Sequence, residues 1–420
     1  VPVSNAAELT AALAAAKAGD TIVLAAGTYD LVDASCRADG TSAAPITVRS
    51  ASPLAAKIRF SGVEGFKVTG ASWRFDGLDV QGVCATDSAC EHAFHVSGAA
   101  TGFELRSSRV VDFNAQLKVN SAKDAGGVMR TPHGGLVEGN ELYDTHARAT
   151  GNPTTKLNID TGDGWVVRAN YIHDFQKGGG DNVAYGAFMK SGGKDGVFER
   201  NLVMCERTLK GGVTIGLSFG GGGTASEFCA PAFDPGKACD PEHTGGTMRN
   251  NIVVGCSDVG IYLNRSQSTK ILHNTLIATS GVDFRYASST GEARGNVLAG
   301  KVRARDGAAF TNINDLADVS SADFASSNAK AFRASLDWQS ARLARKASIW
   351  SFPTTCMAAL VPQRGARVTR ARAGATVPPP SCASPSGNAP SPRRAFEATR
   401  PVPCAASGRA RRAATRAHWS

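Results

Sequence analysis

The sequence predicts an all-β chain wound into a solenoid. Three observations carry this: an asparagine recurring in register, short alternating strands on both sides of it, and glycine near the bends. The clearest copy is Gly134–Thr145, GGLVEGNELYDT. Its Asn140 aligns with Asn170 in VVRANYIHDF, Asn201 in GVFERNLVMC, Asn251 in TMRNNIVVGC, Asn274 in KILHNTLIAT and Asn296 in EARGNVLAG. Upstream, Ser108 in FELRSSRVVDF and Gly77 in WRFDGLDVQGV hold the same place. The steps run from 22 to 32 residues, with one of 50. A period of this size with strands inside it marks stacked coils, because one coil cannot bury its apolar face alone. Asparagine suits the bend in two ways. It tolerates left-handed backbone geometry, and its amide can bond to the same amide one coil away.

In chain order, Ser4–Gly19 reads as an amphipathic helix with Ser4 or Asn5 as N-cap and Gly19 as its stop. Laid across the first coil, such a helix would cover an open sheet edge. The strand AGDTIVLAAGTYDL follows, and coils then succeed each other from Ile46 to Asn296. The step of 50 holds an insertion at about 209–247, containing GLSFGGGGT and a Cys229–Cys239 loop. Insertions in solenoids become loops on one face, often the binding face. The solenoid domain is therefore expected over 1–330. Residues 331–420 lack periodicity and read as a basic tail, disordered or frame-shifted.

The net charge of +10 does not indicate a nucleic-acid partner. Residues 341–420 hold 14 of the 46 Lys and Arg and a single acid, Glu397, so the repeats themselves are slightly acidic. No apolar run approaches a membrane span. Ten cysteines favour an oxidising compartment. Cys84 and Cys90 bracket one short loop, and Cys205 and Cys256 follow ladder positions on neighbouring coils as a disulfide or as buried thiols. The chain begins at Val1 without methionine, which fits a removed leader and a secreted or periplasmic protein.

A second register carries the chemistry. Strands that should be apolar bear charge: AFHVSG with His95, AQLKVN with Lys118, KLNID with Lys156, Asn158 and Asp160, AFMKSGG with Lys190, IYLNRS with Asn264 and Arg265, and DFRYAS with Asp283 and Arg285. Alternate residues of a strand share a face, so stacked coils would build one polar sheet face. Cations and amides on it suit an extended anionic polysaccharide. The chemistry favoured is β-elimination, in which a cation or Ca²⁺ neutralises a uronate carboxylate and a side chain takes the neighbouring proton. Asp160, Asp163 and Asp181, with Asn182, are the candidate Ca²⁺ ligands. His243, beside Cys239 in the insertion, is a further candidate for the cleft.

The opening of helix, AGDTIVLAAGTYDL and PITVRSA resembles right-handed parallel β-helix proteins of the pectin-lyase-like superfamily. Within that group it is most similar to the family of alginate lyases and chondroitinase B, over about residues 1–320. In that family a lysine followed by serine on a strand works with an arginine one coil later. Lys190-Ser191 matches the first element; VTIGLSFGG supplies no arginine for the second. Where the family places calcium carboxylates, GDNVAYGAF offers Asp181, Asn182 and Tyr185. The resemblance implies a secreted polysaccharide lyase with Lys190 as base or anchor, and Tyr185 and His243 as further catalytic candidates. Lys118, Lys156, Asn158, Asn264, Arg265 and Arg285 are the expected substrate contacts. The alternative is a non-catalytic carbohydrate-binding or structural β-helix, and a glycoside hydrolase comes third.

Overall fold

The structure, a computed structural model, describes residues 1–221 and 223–319. The tail expected at 331–420 lies outside the described residues. The chain forms three long sheets whose strands are parallel throughout, with one strand of each coil in each sheet. The first sheet runs from Pro2–Val3 and Thr21–Leu24, through Leu136–Glu138, to Ala309–Ile313. The second runs from Gly27–Leu31, through Glu141–Tyr143, to Val297–Leu298. The third runs from Ala34–Cys36, through Thr154–Asp160, to Lys301–Arg305. This is a parallel β-helix.

Sequence alternation places the core between the sheets. In the first sheet Leu105, Val137, Val167, Phe198, Met248 and Ile271 pair in one continuous row. All are fully buried, and such burial contributes about 1.5–3 kcal/mol per large side chain. Near the start, Phe66, Phe75, Phe94 and Phe103 fill the interior with ring centroids 4.8–5.9 Å apart. The helix Ala6–Ala15 closes this end with Leu9 and Leu13 buried. Its N-cap is Asn5, whose Oδ1 accepts from Glu8 N at 2.9 Å, while the Glu8 carboxylate accepts from Ser4 N at 2.7 Å. The helix stops at Ala15, earlier than the expected Gly19, which instead sits in the turn leading to the first long strand.

The asparagine column lies at the corner between the first and second sheets. Each Nδ2 donates to the Oδ1 of the next coil: Asn140 to Asn170, Asn170 to Asn201, Asn201 to Asn251, Asn251 to Asn274 and Asn274 to Asn296, all at 2.9–3.0 Å. Asp315 ends the ladder, accepting from Asn296 at 2.9 Å. The same Oδ1 atoms accept the backbone N–H of the preceding rung, as from Asn140 and Asn170. Ser108 begins the column by accepting from Leu78 N at 3.1 Å. Leu78, not Gly77, therefore holds the first register position. The left-handed residue is also displaced from the expected one: it precedes each asparagine, at Ser107, Gly139, Ala169, Arg200, Asn250, His273 and Gly295, with φ of 49–69°. The asparagines themselves supply side-chain bonds rather than backbone freedom.

Disulfides join Cys84–Cys90, Cys205–Cys256 and Cys229–Cys239, and Cys36 is a buried free thiol. Val213–Phe219, inside the expected insertion, is an ordinary strand of the third sheet. The extra residues are 220–242, which replace Lys190–Gly192 of the preceding coil.

The corner between the second and third sheets buries charge. Lys156 is fully buried, with Nζ 2.5 Å from Asp144 Oδ2 and donating to the Phe113 carbonyl at 2.7 Å. Burial pushes Asp144 up and Lys156 down, and the charge of each partner draws the other back. Arg148, also buried, bonds Asn114 and Asp87 nearby. Lys156 therefore stands where alternation predicts an outward residue, but the strand departs from alternation there: at the same level one coil on, a Cβ at Gly186 would stand 3.2 Å from Val203 and 3.3 Å from Phe175, both in the core. The expectation that it contacts substrate is corrected.

Two variants test these contacts by urea unfolding. Asn201→Ala orphans the Asn170 N–H and breaks two rungs, and is expected to lose at least about 2 kcal/mol; a loss too small to resolve would remove the ladder from the stability of the fold. Lys156→Met leaves Asp144 buried without its cation and is expected to lose about 3–5 kcal/mol, against little loss if the pair were solvated.

Candidate functional site

The polar residues of the third sheet share one outer face. One row pairs His95, Lys118, Asn158, Phe188, Ser218, Tyr262 and Asp283 across successive coils. The adjoining row pairs Asn120 with Asp160, continues past Lys190 and Gly220, and pairs Asn264 with Arg285. Parallel strands hold equivalent residues side by side without a shift, so residues as far apart in sequence as Ser218 and Tyr262 become neighbours.

The centre of this face is Asp160. Lys118 Nζ lies 2.7 Å from its Oδ2 and also donates to Asn158 Oδ1 at 3.2 Å. Lys190 Nζ lies 3.6 Å from Oδ1, and the Ser191 hydroxyl donates to that same oxygen. Burial pushes Asp160 up, but the charges of Lys118 and Lys190 and the bonds from Lys118 and Ser191 outweigh it and hold the carboxyl below its ordinary 3.8. Two cations from adjacent coils thus share one ionised carboxylate.

The insertion closes over this group. Lys190 Nζ donates to the Gly223 carbonyl at 2.8 Å, and Ser191 Oγ meets Thr224 Oγ1 at 2.8 Å. Glu242 Oε2 accepts from Thr224 Oγ1 at 2.7 Å and from Ser191 N at 2.9 Å. Lys190 is about nine-tenths buried and its ammonium stands 5.1 Å from the Phe188 ring centre. The roles of Gly223 and Thr224 were not legible in sequence, since a loop without periodicity does not say where it lands.

Further along the face, Arg285 donates to Tyr262 Oη at 3.2 Å and pairs with Asp306 at 2.7 Å. Asn264 Nδ2 donates to the same Tyr262 oxygen at 3.3 Å. Arg265 occupies the bend after its strand, with φ of 55°, and its guanidinium lies 4.1 Å over the Tyr286 ring. Asn264, Arg265 and Arg285 therefore form a second polar group two and three coils beyond Lys190.

Other expected residues fall elsewhere. Tyr185 packs with Val183, Ile215, Val259 and Tyr262, and burial pushes its phenol up; its hydroxyl lies under the strand of the insertion at Gly221. His243 is fully buried, stacked 4.2 Å from Phe219, with neither ring nitrogen bonded. Burial lowers it to about 3, so it is a core residue and its catalytic assignment is corrected.

The Ca²⁺ ligand set does not assemble. Asp160 is engaged by two lysines, Asp163 Oδ1 accepts from Lys194 N at 2.9 Å, and Asp181 pairs with Lys177 at 2.7 Å. Among the described residues, the one group of three His, Cys, Asp or Glu ligand atoms that converges is Glu64, His92 and His95. The expected aspartates do not fit one calcium ion, and no step below passes through it. Of the convergent three, only His95 was visible as part of the polar face in the sequence.

A carboxylate depressed by folding adds stability above its unfolded value and loses it as pH falls through the folded one. Asp160 should therefore contribute at neutral pH and cease to do so as pH drops below 3.8. Unfolding measured from pH 6 to 2 (about that range) should show a steeper acid-side loss in the wild type than in Asp160→Asn. Equal slopes would mean that the carboxylate is not held by its lysines.

Residues 3–121 match the family model described as Chondroitinase B. The match ends before Asp160 and Lys190. No curated protein matches the chain. Among solved structures, a PL6 family polysaccharide lyase from Pseudopedobacter saltans is 12% identical, with a TM-score of 0.41, covering 76% of this chain and 92% of that one. An alginate lyase from Paenibacillus sp. is 17% identical, with a TM-score of 0.42, covering 74% and 98%. The pectate lyase Pel9A is 18% identical, with a TM-score of 0.46, covering 75% and 76%. Likenesses this distant carry nothing about chemistry. The chain is a parallel β-helix whose opening coils, residues 3–121, are similar to the Chondroitinase B family.

Proposed function

We propose that the outer face of the third sheet binds a uronate-containing polysaccharide, outside the cytoplasm, and cleaves it by β-elimination. The observation that carries this reading is the convergence of Lys118 and Lys190 on Asp160. Elimination needs a cation against the uronate carboxylate, so that the adjacent carbon can release its proton, and a base to receive that proton. Lys118 is assigned to the carboxylate. Lys190 Nζ, once its own proton has passed to solvent, takes the proton from carbon; the electron pair left on carbon forms the new double bond, and the glycosidic oxygen leaves with a proton from water. Asn264, Arg265 and Arg285 extend the polar face to further sugar residues. Three disulfides suit an oxidising compartment. No helix among the described residues is long and apolar enough to cross a membrane.

A second reading, a non-catalytic polysaccharide-binding protein, is favoured by one feature. Lys190 already donates to Gly223, and the register position one coil later is Gly220 rather than a cation.

The deciding measurement is the ultraviolet absorbance of unsaturated uronate over a panel of acidic polysaccharides. Absorbance should rise with one substrate class. Lys190→Ala should lower kcat by about 10²–10⁴-fold, and Lys118→Ala should raise KM as well. New reducing ends without absorbance would instead mean hydrolysis. Retardation in a polysaccharide gel without any cleavage would overturn elimination and leave binding.

A further inference from the structure

On the two strands that precede the strand of Lys118 in the same sheet face lie Glu64, His92 and His95, whose ligand atoms all lie within 4.8 Å of one another. Glu64 Oε1 is 3.0 Å from His92 Nδ1, and Glu64 Oε2 is 3.0 Å from His95 Nδ1. The second contact has the length of a hydrogen bond but not its alignment, and Oε2 is a buried oxygen with no hydrogen-bond partner.

The tautomer of His95 is fixed by its other side. Asn120 Nδ2 donates to the Ser121 carbonyl at 2.9 Å, which orients the amide so that Oδ1 faces His95 Nε2 at 2.6 Å. Nε2 must therefore carry a proton and donate. The Nδ1 lone pair then points at a carboxylate oxygen, which is repulsive unless a second proton or a cation stands between them. An imidazole whose far nitrogen is tied to a carbonyl oxygen is the usual arrangement around a bound metal. Two imidazole nitrogens and one carboxylate form a nitrogen-rich set that suits zinc and its first-row neighbours rather than calcium. Ligand atoms at about 2.0–2.1 Å from zinc stand about 3.3 Å apart at tetrahedral angles, close to the spacing seen here.

The neighbouring cations do not occupy the space. Lys67 is paired with Asp33 at 3.0 Å, and Lys118 with Asp160 at 2.7 Å. The three side chains keep 19–26% of their surface exposed, which leaves a fourth position open to water or to the carboxylate of an acidic ligand.

We propose that Glu64, His92 and His95 bind one divalent transition-metal ion of the zinc class, with Asn120 as the positioning residue for His95. The metal site stands independently of the elimination reading, because its test reads the metal alone. The full chain, stripped with a chelator, is titrated with Zn²⁺ by calorimetry and with Co²⁺ by visible absorption. One equivalent is expected, with a cobalt spectrum of nitrogen and oxygen ligation that excess Ca²⁺ does not displace. Glu64→Gln and His95→Ala should abolish that spectrum, and Asn120→Ala should weaken binding by about 10–100-fold. Circular dichroism checks each fold, and His92→Gln gives the same readout if either variant fails to fold. Absence of the cobalt spectrum in the wild type, or its survival in both Glu64→Gln and His92→Gln, would overturn the site and leave an imidazolium–carboxylate contact.

Discussion

The asparagine ladder is the constraint on which the rest of the structure depends. At the corner between the first two sheets the backbone turns within a few residues, and its N–H groups leave both sheets. Each must find a partner in a place closed to water. The asparagine of the next coil supplies it, and its amide repeats the arrangement one level on. Because a rung bonds both backbone and side chain of its neighbour, a slip of one residue would break several bonds at once and turn every core residue outward. The ladder therefore fixes the register of all three sheets from one corner.

The other two corners are free to vary in length, and the chain uses that freedom in different ways. Between the second and third sheets, the loop after Tyr143 packs its own Asp144 and Arg148 into the corner, where Asp144 meets the inward-turned Lys156. Buried charges of this kind persist only when paired and bonded, and Lys156 has both its carboxylate and a carbonyl. Between the third and first sheets, residues 220–242 pass over Lys190 instead. Gly192 and Gly220 permit this approach. A Cβ at Gly220 would stand 1.8 Å from the Asn264 carbonyl oxygen, and one at Gly192 would stand 1.9 Å from that of Ala230.

What the sequence disclosed was periodic or local. The ladder repeats, so Asn140 to Asn296 could be aligned without a structure. The ladder also put Cys205 near Cys256, but it left open whether they were a disulfide or two thiols, and the structure shows the disulfide. What it hid was set by loops and irregularities. Lys156 looked outward by simple alternation, but it lies level with Ala93 and Gly186, where the third sheet departs from alternation and the side chain turns inward. His243 looked like a loop histidine until the short strand His243–Thr244 placed it against Phe219. Glu64, His92 and His95 were obscured for another reason. His92 and His95 are three apart, a spacing that puts residues on opposite faces of a regular strand. Here Ala93 and Phe94 are both buried, so the strand departs from alternation and both imidazoles face outward.

The closed arrangement at Lys190 is compatible with an open one on energetic grounds. The bond from Lys190 to Gly223 joins it to one neutral carbonyl of the insertion. A sugar hydroxyl offers an acceptor of the same kind, so an arriving polysaccharide can take that position without a net loss of hydrogen bonds. Asp160 is the other partner, and it cannot be displaced so easily, since Lys118 and Ser191 hold it as well. It also keeps the two lysines within reach of one site despite their mutual repulsion. A polysaccharide entering along this face would therefore meet Lys118 as a cation fixed by Asp160, and Lys190 with one exchangeable contact. That asymmetry is what assigns the base to Lys190 and the carboxylate anchor to Lys118.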